Sequence, residues 1–206
     1  MTFERDILTR LGEHDDESVE SMARLHARLL EAASSEDLLD VAYRVLDTPV
    51  GSLLLAATAM GVVRIAFDAQ GHDAVLDDLA RRVSPRVLCA PSRLDPAARQ
   101  LDEYFSGRRH RFDLPLDLQL AHGFRRLVLG RLTDLDYGST ASYAAVAAAL
   151  GSPKAVRAVG TACATNPVPV VVPCHRVVRS DGSAGGYAGG AEAKRALLAL
   201  ETANRA

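Results

Sequence analysis

The segment "ASYAAVAAALGSPKAVRAVGTAC", residues 141–163, decides the fold prediction. Its first ten residues, 141–150, are rich in alanine and favour a helix, and a second helical pattern follows directly. Between the two patterns, Gly151 is a typical residue to close a helix, Ser152 a typical N-cap and Pro153 a favoured first helical position. The sequence therefore predicts a helix-turn-helix.

The second helix of this motif has one apolar and one outward side. Helical spacing places Val156, Val159 and Cys163 together, where they can pack inward. The outward side carries Lys154, Arg157, Thr161 and the small residues Ala155, Ala158, Gly160 and Ala162. Small residues around an arginine allow close approach to a surface such as a DNA groove. The same pattern also fits an ordinary helix with a solvated arginine, so spacing leaves both interpretations open.

The region around this motif is expected to be mostly helical from about residue 121. Upstream, four apolar residues share one face of a helix: Phe124, Val128, Leu132 and Leu135.

A different pattern covers residues 41–118. Short apolar runs separated by the turn segments "TPVG" and "AMG" predict an antiparallel meander. The runs are 41–47, 52–58 and 62–67. Helical patterns follow at about 73–83 and 95–106, and "RFDLPLDL" (111–118) leads out as a strand or an extended linker.

The first forty residues favour an acidic amphipathic helix that docks on the body of the protein. Five apolar residues recur at helical spacing: Val19, Met22, Leu25, Leu29 and Leu30. Asp15 and Asp16 are candidate caps before them. The sequence thus divides into a helical extension (1–40), an α/β region (41–118) and a mostly helical region (119–206).

Composition and charge narrow the class of protein. The chain has 206 residues, 48% of them apolar, which is enough to bury a core. Its sequence shows neither a membrane-spanning apolar run nor the apolar start of a signal peptide, so we expect a cytoplasmic protein. Residues 1–40 carry 4 basic and 11 acidic side chains, residues 41–122 carry 10 and 10, and residues 123–206 carry 10 and 5. A basic C-terminal part is compatible with phosphate binding, although an ordinary solvated surface gives the same count.

The stretch "PVVVPCHRVVRSDG", residues 169–182, holds one of three cysteines in the chain. The run of valines at 170–172 favours a buried strand, which Pro173 ends. Cys174 can then be a small buried apolar residue, the commonest role of a core cysteine. Alternatively it is a nucleophile, because His175 next to it is a candidate base.

A nucleophilic cysteine needs further groups. Neighbouring residues at a strand end point to opposite sides, so contact between the thiol and the imidazole requires a bridging water or a bend at Pro173. A carboxylate should orient the histidine, and the C-terminal helix offers Glu192 and Glu201, of which Glu201 is better placed to face inward.

Two other kinds of site are disfavoured. Cys163, Cys174 and His175 match no closed zinc motif and lack an evident fourth ligand. The glycine-rich segment "RSDGSAGGYAGG" (179–190) suits close approach of backbone to a ligand, but it does not have the strand-then-helix context of a nucleotide loop.

Together, "PCHRV", the preceding "NPVPVVV", the following "GYAGG" and the upstream "SPKAVRAVG" resemble the O6-alkylguanine-DNA alkyltransferases, also called methylated-DNA-protein-cysteine methyltransferases. The resemblance is specific over 124–201. It extends to 41–118, where "TPVGSLLLAAT" and "LDEYFSGRRHRFDLPLDL" look like the family's N-terminal domain. It implies an α/β (α+β) ribonuclease-H-like N-terminal domain and a mostly α C-terminal domain with a winged-helix-like helix-turn-helix.

The resemblance also implies roles for individual residues. In the catalytic set, Cys174 would be the alkyl acceptor, His175 a base acting through a water, and Glu201 the carboxylate that holds that histidine. Asn166 would brace the active-site turn. Tyr143 would help to rotate the nucleotide and would hydrogen-bond the leaving base. The residues at the DNA would be Arg157, which fills the space of the flipped guanine, with Tyr143, Lys154, Ala155, Ala158 and Thr161. The pocket would be lined by Cys163, Val177, Tyr187, Ala188 and Lys194.

The implied reaction is an SN2 transfer of the alkyl group from O6-alkylguanine, and from O4-alkylthymine, in double-stranded DNA to the thiolate. It requires no metal and no cofactor. Because nothing in the site can hydrolyse a thioether, each molecule would act once. The implied protein is a monomer in solution that can cluster on DNA, with no membrane partner.

The sequence departs from the family pattern at several positions. Where the family commonly has phenylalanine-glutamine and then valine-tryptophan at the start of its helix, this chain has Phe124-Arg125 and Val128-Leu129, and it contains no tryptophan. "AT" stands between Cys163 and Asn166, where many members have a basic or polar residue facing DNA. The "ACATN" context of Cys163 is closest to the alkyltransferase domain of the Ada adaptive-response proteins.

Two functions of other classes compete with repair. An alkyltransferase-like protein recognises alkylated DNA without repairing it, but such proteins replace the acceptor cysteine, so Cys174 argues for activity. Alternatively, methylation makes the chain a transcriptional or protein-interaction signal, with the acidic N-terminal helix as the partner surface.

Overall fold

The structure, a computed structural model, describes residues 21–33, 36 and 38–205. The chain divides into two compact units, Met1–Asp40 and Val41–Ala206. The second unit contains the sheet, the helix-turn-helix and residues 169–182, which we call the cysteine segment.

In the first unit, residues 21–33 are helical (α1), as their apolar spacing predicts. The candidate caps Asp15 and Asp16 and the first apolar position, Val19, lie outside the described residues. After α1 the backbone N–H of Leu38 donates to the carbonyl of Ala33 (2.8 Å), so the chain turns directly behind the helix.

The second unit begins with the predicted antiparallel meander. Its strands are β1 (Val41–Thr48), β2 (Gly51–Thr58) and β3 (Gly61–Phe67). A fourth strand, β4 (Val87–Cys89), pairs parallel with β1, which gives the order β3-β2-β1-β4. Sequence reasoning missed β4 because three residues are too few to show an alternating pattern.

Helices cover the sheet because both of its faces are apolar. Leu54 and Ala56 of β2 belong to a core cluster with Val75 and Leu79, which lie on α2 (His72–Arg82). Successive side chains of a strand point to opposite faces, and the alternate residues Leu53 and Leu55 are equally buried. A further helix, α3 (Asp95–Phe105), packs against β1. The predicted helices at 73–83 and 95–106 are confirmed.

The outer edge of β3 is paired with the segment predicted as a strand or linker. Val62 donates its N–H to the carbonyl of Pro115 (2.9 Å) and accepts from the N–H of Asp117 (2.9 Å). This is a single bridge in an otherwise extended linker. The approach is close at Gly61, whose φ is +134° and where an added Cβ would lie 2.2 Å from the carbonyl oxygen of Pro115.

The remaining elements form the mostly helical part of the unit. They are α4 (Phe124–Leu132), β5 (Ala141–Ser142), α5 (Tyr143–Ala149), α6 (Val156–Ala164), β6 (Val177–Val178) and α7 (Gly190–Ala203). Helices α5 and α6 are the predicted helix-turn-helix, and β5 and β6 form a small parallel sheet beside it. The predicted class, an α/β (α+β) domain followed by a mostly α domain, is confirmed. In the described parts of the chain, no helix is long and apolar enough to cross a membrane.

The start of α6 differs from the prediction. The N–H of Ala155 donates to the carbonyl of Ser152 (2.8 Å), so Ser152 opens a β-turn with Pro153 at its second position and does not cap the helix. The helix begins at Val156, which is 37% exposed and was wrongly assigned to the inward side. Val159 and Cys163 are buried, as predicted. Similarly, α4 ends at Leu132 and does not include Leu135.

We expect Gly61→Ala to destabilise the fold strongly, because the new Cβ would both strain a left-handed backbone and collide with Pro115. Gly51→Ala is the matched control, since Gly51 also has a positive φ (+96°) but has nothing within 4 Å of an added Cβ. Urea denaturation should show a loss of about 3 kcal/mol for Gly61→Ala and about 1 kcal/mol for Gly51→Ala. Equal losses would mean that the contact with Pro115 is not a constraint.

Candidate active site

The valines at 170–172 do not form the predicted strand. Pro169 and Val172 form a single bridge, and the N–H of Val172 donates to the carbonyl of Val168 (2.9 Å), so the segment is a tight turn. The physical reason is that prolines 167, 169 and 173 lack the N–H groups that a strand ladder needs. Val170 has a φ of +74°, a conformation that costs a β-branched residue about 1–3 kcal/mol and persists because its surroundings hold it.

Asn166 holds this turn together. Its side-chain oxygen accepts from the N–H of Val168 (3.0 Å), and its Nδ2 donates to the carbonyl of Val172 (2.9 Å). Nδ2 also donates to Sγ of Cys174 (3.1 Å). One buried amide therefore links the shape of the turn to the thiol.

A bend at Pro173 delivers Cys174 into the interior. Pro173 has φ −80° and ψ 60°, and the N–H of Cys174 donates to the carbonyl of Val172 (2.8 Å), which is an inverse γ-turn. Cys174–Arg176 then form one turn of 3-10 helix. The cysteine and the histidine consequently do not alternate as neighbours on a strand do, and Cys174 is only 3% exposed.

Burial raises the pKa of Cys174 to about 11, although the hydrogen bond from Asn166 and the charge of Lys194 oppose the rise. Burial likewise raises the pKa of Cys163, to about 12, and the neighbouring Cys174 adds to that rise. Both thiols are therefore protonated at neutral pH in this state. The charge of Lys194 favours the thiolate at both cysteines, and at Cys174 the hydrogen bond from Asn166 adds to it.

His175 and Glu201 form a fully buried pair, with Nε2 and Oε1 2.8 Å apart. Burial lowers the pKa of His175, so the imidazole is neutral near pH 7. A carboxylate can only accept, so Nε2 carries the proton and Nδ1 has a free lone pair. That Nδ1 is buried and has no hydrogen-bond partner in the described part of the chain. Glu192, the other candidate carboxylate, is exposed at the start of α7.

Three further residues at Glu201 were missed by sequence reasoning. Arg176 donates through Nε to Oε2 (2.9 Å) and through Nη2 to Oε1 (2.8 Å). The hydroxyl of Tyr104 donates to Oε1 (2.7 Å), and the N–H of Gly138 donates to Oε2 (3.0 Å). Arg176 could have been found as the third residue of "CHR", since a buried carboxylate needs a cation. Tyr104 lies 97 residues from Glu201 and gives no local signal.

The residues predicted to line a pocket differ in their burial and in their contacts. Lys194 is fully buried and donates through Nζ to the carbonyl of Val177 (2.7 Å), and burial lowers its pKa. The Tyr187 ring packs edge-on against His175 (6.3 Å between centroids) and against Phe67 of β3 (5.5 Å). Ala188 is half-buried in the same loop as Tyr187.

The glycine-rich loop packs closely on Tyr143. An added Cβ at Gly185 would lie 2.2 Å from the hydroxyl of Tyr143, so a side chain there would occupy its position. Burial raises the pKa of Tyr143, and the nearby Cys163 and Cys174 act in the same direction. Tyr143 therefore remains a protonated hydrogen-bond donor near the two thiols.

The residues predicted to face DNA lie on the outer side of α6 and the turn before it. Lys154, Arg157, Ala158 and Thr161 are exposed, and Ala155 is half-buried. The opposite side of α6 buries Val159 and Cys163, and also Ala162, which was wrongly assigned to the outward side. One helix thus has one face toward solvent and the other toward the cysteine site.

The described residues offer no evident metal centre. Within 21–33, 36 and 38–205, no three His, Cys, Asp or Glu side chains are grouped so that they could hold a metal ion.

We expect the buried Glu201 to make stability depend on pH in the acid range. Burial alone would raise the pKa of Glu201, but the hydrogen bonds from His175 and Arg176 outweigh it and lower the pKa to about 2 from 4.5. The ionised carboxylate therefore stabilises the fold above pH 4.5, and this contribution is lost as the pH falls toward 2.

Urea unfolding between pH 5 and pH 2 checks this, with Glu201→Gln as the variant that cannot ionise. Wild type should be the more stable at pH 5, and the difference should narrow by about 3 kcal/mol toward pH 2. A difference that does not change with pH would contradict the expectation.

Comparison with protein families identifies the chain. The family profile described as "6-O-methylguanine DNA methyltransferase, ribonuclease-like domain" matches residues 41–118. The profile "6-O-methylguanine DNA methyltransferase, DNA binding domain" matches residues 123–203. The two matches together cover the sheet, the helix-turn-helix and the buried cysteine.

Individual proteins and structures agree. A methylated-DNA-protein-cysteine methyltransferase of Methanosarcina barkeri is 37% identical over 79% of this chain and 98% of its own length. The constitutive enzyme of the same name from Bacillus subtilis is 40% identical over 77% and 94%. The crystal structure of the Mycobacterium tuberculosis O6-methylguanine methyltransferase superimposes with a TM-score of 0.71, at 36% identity over 81% of this chain and 95% of that one.

A Mycobacterium tuberculosis protein of this kind solved in complex with DNA gives a TM-score of 0.68 at 35% identity, over 79% of this chain and 94% of that one. The family predicted from "PCHRV" and its surroundings is therefore confirmed. The chain belongs to the 6-O-methylguanine DNA methyltransferases, the family of the methylated-DNA-protein-cysteine methyltransferases.

Proposed function

We propose that this chain repairs O6-alkylguanine, and also O4-alkylthymine, in duplex DNA by moving the alkyl group once to Cys174. The observation that carries the proposal is the position of the Cys174 Sγ. It accepts a hydrogen bond from Asn166, and Cys174 directly precedes His175, which forms a buried pair with Glu201. These surroundings are those of a nucleophilic cysteine and differ from the apolar surroundings of an ordinary core cysteine.

The proposed reaction is an in-line displacement at the alkyl carbon. The carbon-sulfur bond forms as the bond from carbon to O6 breaks, and the electron pair leaves with the guanine. His175 takes the thiol proton at Nδ1 through a water, and the protonated hydroxyl of Tyr143 stabilises the charge that builds on the leaving base. The product thioether has no route to hydrolysis, so the protein is consumed.

We further propose that the outer side of α6 enters the minor groove and that the damaged base is flipped out. Arg157 would fill the vacated space, Lys154 and Thr161 would contact the backbone, and Ala155 and Ala158 would allow close approach. An exposed arginine on a helix whose other face buries Cys163 supports this arrangement. The excess of basic residues over 123–206 favours the same phosphate-rich partner.

Three broader features are proposed with the reaction. The chain would comprise a helical extension (1–40), a ribonuclease-H-like domain (41–118) and a domain for DNA binding and alkyl transfer (119–206), in line with the two matching family profiles. It would be a cytoplasmic monomer that clusters on DNA.

Intact mass spectrometry after mixing with an oligonucleotide that contains O6-methylguanine tests the reaction. We expect one added methyl group, mapped to Cys174, and none in Cys174→Ala. Cys163→Ala is the matched control and should still gain the methyl group, because Cys163 has no bond from Asn166. Tight DNA binding with no change in mass would contradict the proposal and favour a damage sensor.

Arg157→Ala should slow repair in duplex DNA by about tenfold or more, while reaction with free O6-benzylguanine stays within about twofold of wild type, because the free base needs no flipping. Arg99→Ala removes an exposed arginine from α3, outside the helix-turn-helix, and should change neither rate. Rates from quenched reactions with both substrates decide the point. Equal losses on both substrates in Arg157→Ala would rule out insertion into the duplex.

A further inference from the structure

The carboxylate of Glu201 is shared among more donors than orienting a histidine requires. Oε1 accepts from His175, from Arg176 and from the hydroxyl of Tyr104, and Oε2 accepts from Arg176 and from the N–H of Gly138. His175 and Tyr104 therefore compete for the electron density of one oxygen.

Tyr104 differs from the other donors in its origin. It lies on α3, within the α/β part of the chain, whereas His175 and Arg176 belong to the cysteine segment. It is fully buried and packs against the rings of Phe112 (5.2 Å) and Tyr137 (6.0 Å). Its hydroxyl thus reaches the histidine-carboxylate pair from a different domain of the predicted architecture.

The Tyr104 hydroxyl is a permanent donor. Burial raises its pKa far above the ordinary value of 10, and the negative charge of Glu201 raises it further. It stays protonated throughout the pH range in which a histidine titrates, and an ionised carboxylate can only accept from it. The hydrogen bond is therefore present whether His175 is neutral or charged.

We infer that Tyr104 is a positioning residue of alkyl transfer: by occupying part of Oε1, it limits how strongly Glu201 holds a proton on His175 and so keeps the imidazole available as a base. This inference rests on the proposed function, in which neutral His175 takes the thiol proton. It assigns to the α/β region a part in the chemistry besides its part in the fold.

The expected effect has a definite sign. Removing the hydroxyl leaves more negative charge on Oε1, which stabilises the imidazolium and raises the pKa of His175. A larger fraction of the base is then protonated at a given pH, and the acid limb of the rate profile moves to higher pH. The titratable and charged groups that face Glu201 and His175 are Tyr104, Tyr137, Arg176, Lys194, Cys174 and Tyr187. Each of them other than Tyr104 is unchanged in the variant.

The experiment compares Tyr104→Phe with Tyr137→Phe in the full chain. Both variants lose one buried phenol hydroxyl from adjacent rings, but that of Tyr137 has no hydrogen-bond partner among the described residues. The rate of reaction with free O6-benzylguanine is measured from pH 5 to pH 9, so that DNA binding does not enter. We expect the acid limb of Tyr104→Phe to shift up by about half a pH unit, with a rate lower by up to about threefold along that limb and little change at pH 8. Tyr137→Phe should retain the wild-type profile.

A merely structural role of Tyr104 would lower the rate by the same factor at every pH, and that result would overturn the inference. So would equal shifts in both variants. If Tyr104→Phe does not fold, 3-fluorotyrosine at position 104 retains the ring and makes the hydroxyl a stronger donor; the acid limb should then move to lower pH, and an unchanged limb would overturn the inference. Failure of the proposed function is distinct, because wild type itself would then gain no alkyl group at Cys174.

Discussion

A carboxylate removed from water must be compensated by its neighbours, and at Glu201 this requirement connects most of the second unit. An unpaired buried charge would cost several kcal/mol, comparable to the whole stability of a domain. The compensation comes from α3 through Tyr104, from the loop after α4 through Gly138 and from the cysteine segment through His175 and Arg176. One charge on α7 therefore fixes the relative positions of four parts of the chain.

Opposing effects of its neighbours also set the protonation of the Cys174 thiol. Burial keeps Cys174 protonated and protects it from indiscriminate reagents, while Asn166 and Lys194 act in the opposite direction, toward the thiolate. The cysteine is thus neither an inert core residue nor a permanently activated one. In the proposed reaction its reactivity depends on His175, a base that burial keeps neutral, so activation would be a property of the assembled site and not of the sulfur alone.

Periodic segments could be predicted from the sequence, and irregular or distant features could not. The meander and the helix-turn-helix could be predicted because apolar residues recur at strand or helix spacing, and the recurring apolar side chains are the ones that each element buries. The valines at 170–172 were misread because apolarity alone does not distinguish a strand from a buried turn, although the prolines on either side carry the relevant signal. The pairing of His175 with Glu201 was predicted from residue chemistry, and the roles proposed for these residues and for Cys174 rest on resemblance. The contact of Tyr104 with Glu201 could not be found, because no pattern relates residues 97 positions apart.

The pairing along β3 has a consequence for association between chains. An edge strand normally offers free N–H and carbonyl groups that another molecule's strand can join, which is a common route to aggregation. Here Val62 is engaged by the segment around Pro115, and Ile65 donates to the carbonyl of Pro167 (2.8 Å), next to Asn166. Both acceptor carbonyls belong to prolines, Pro115 and Pro167, which have no N–H with which to continue the ladder. The turn that holds Cys174 therefore also occupies a hydrogen-bonding group on the edge of the sheet that another chain could otherwise pair with.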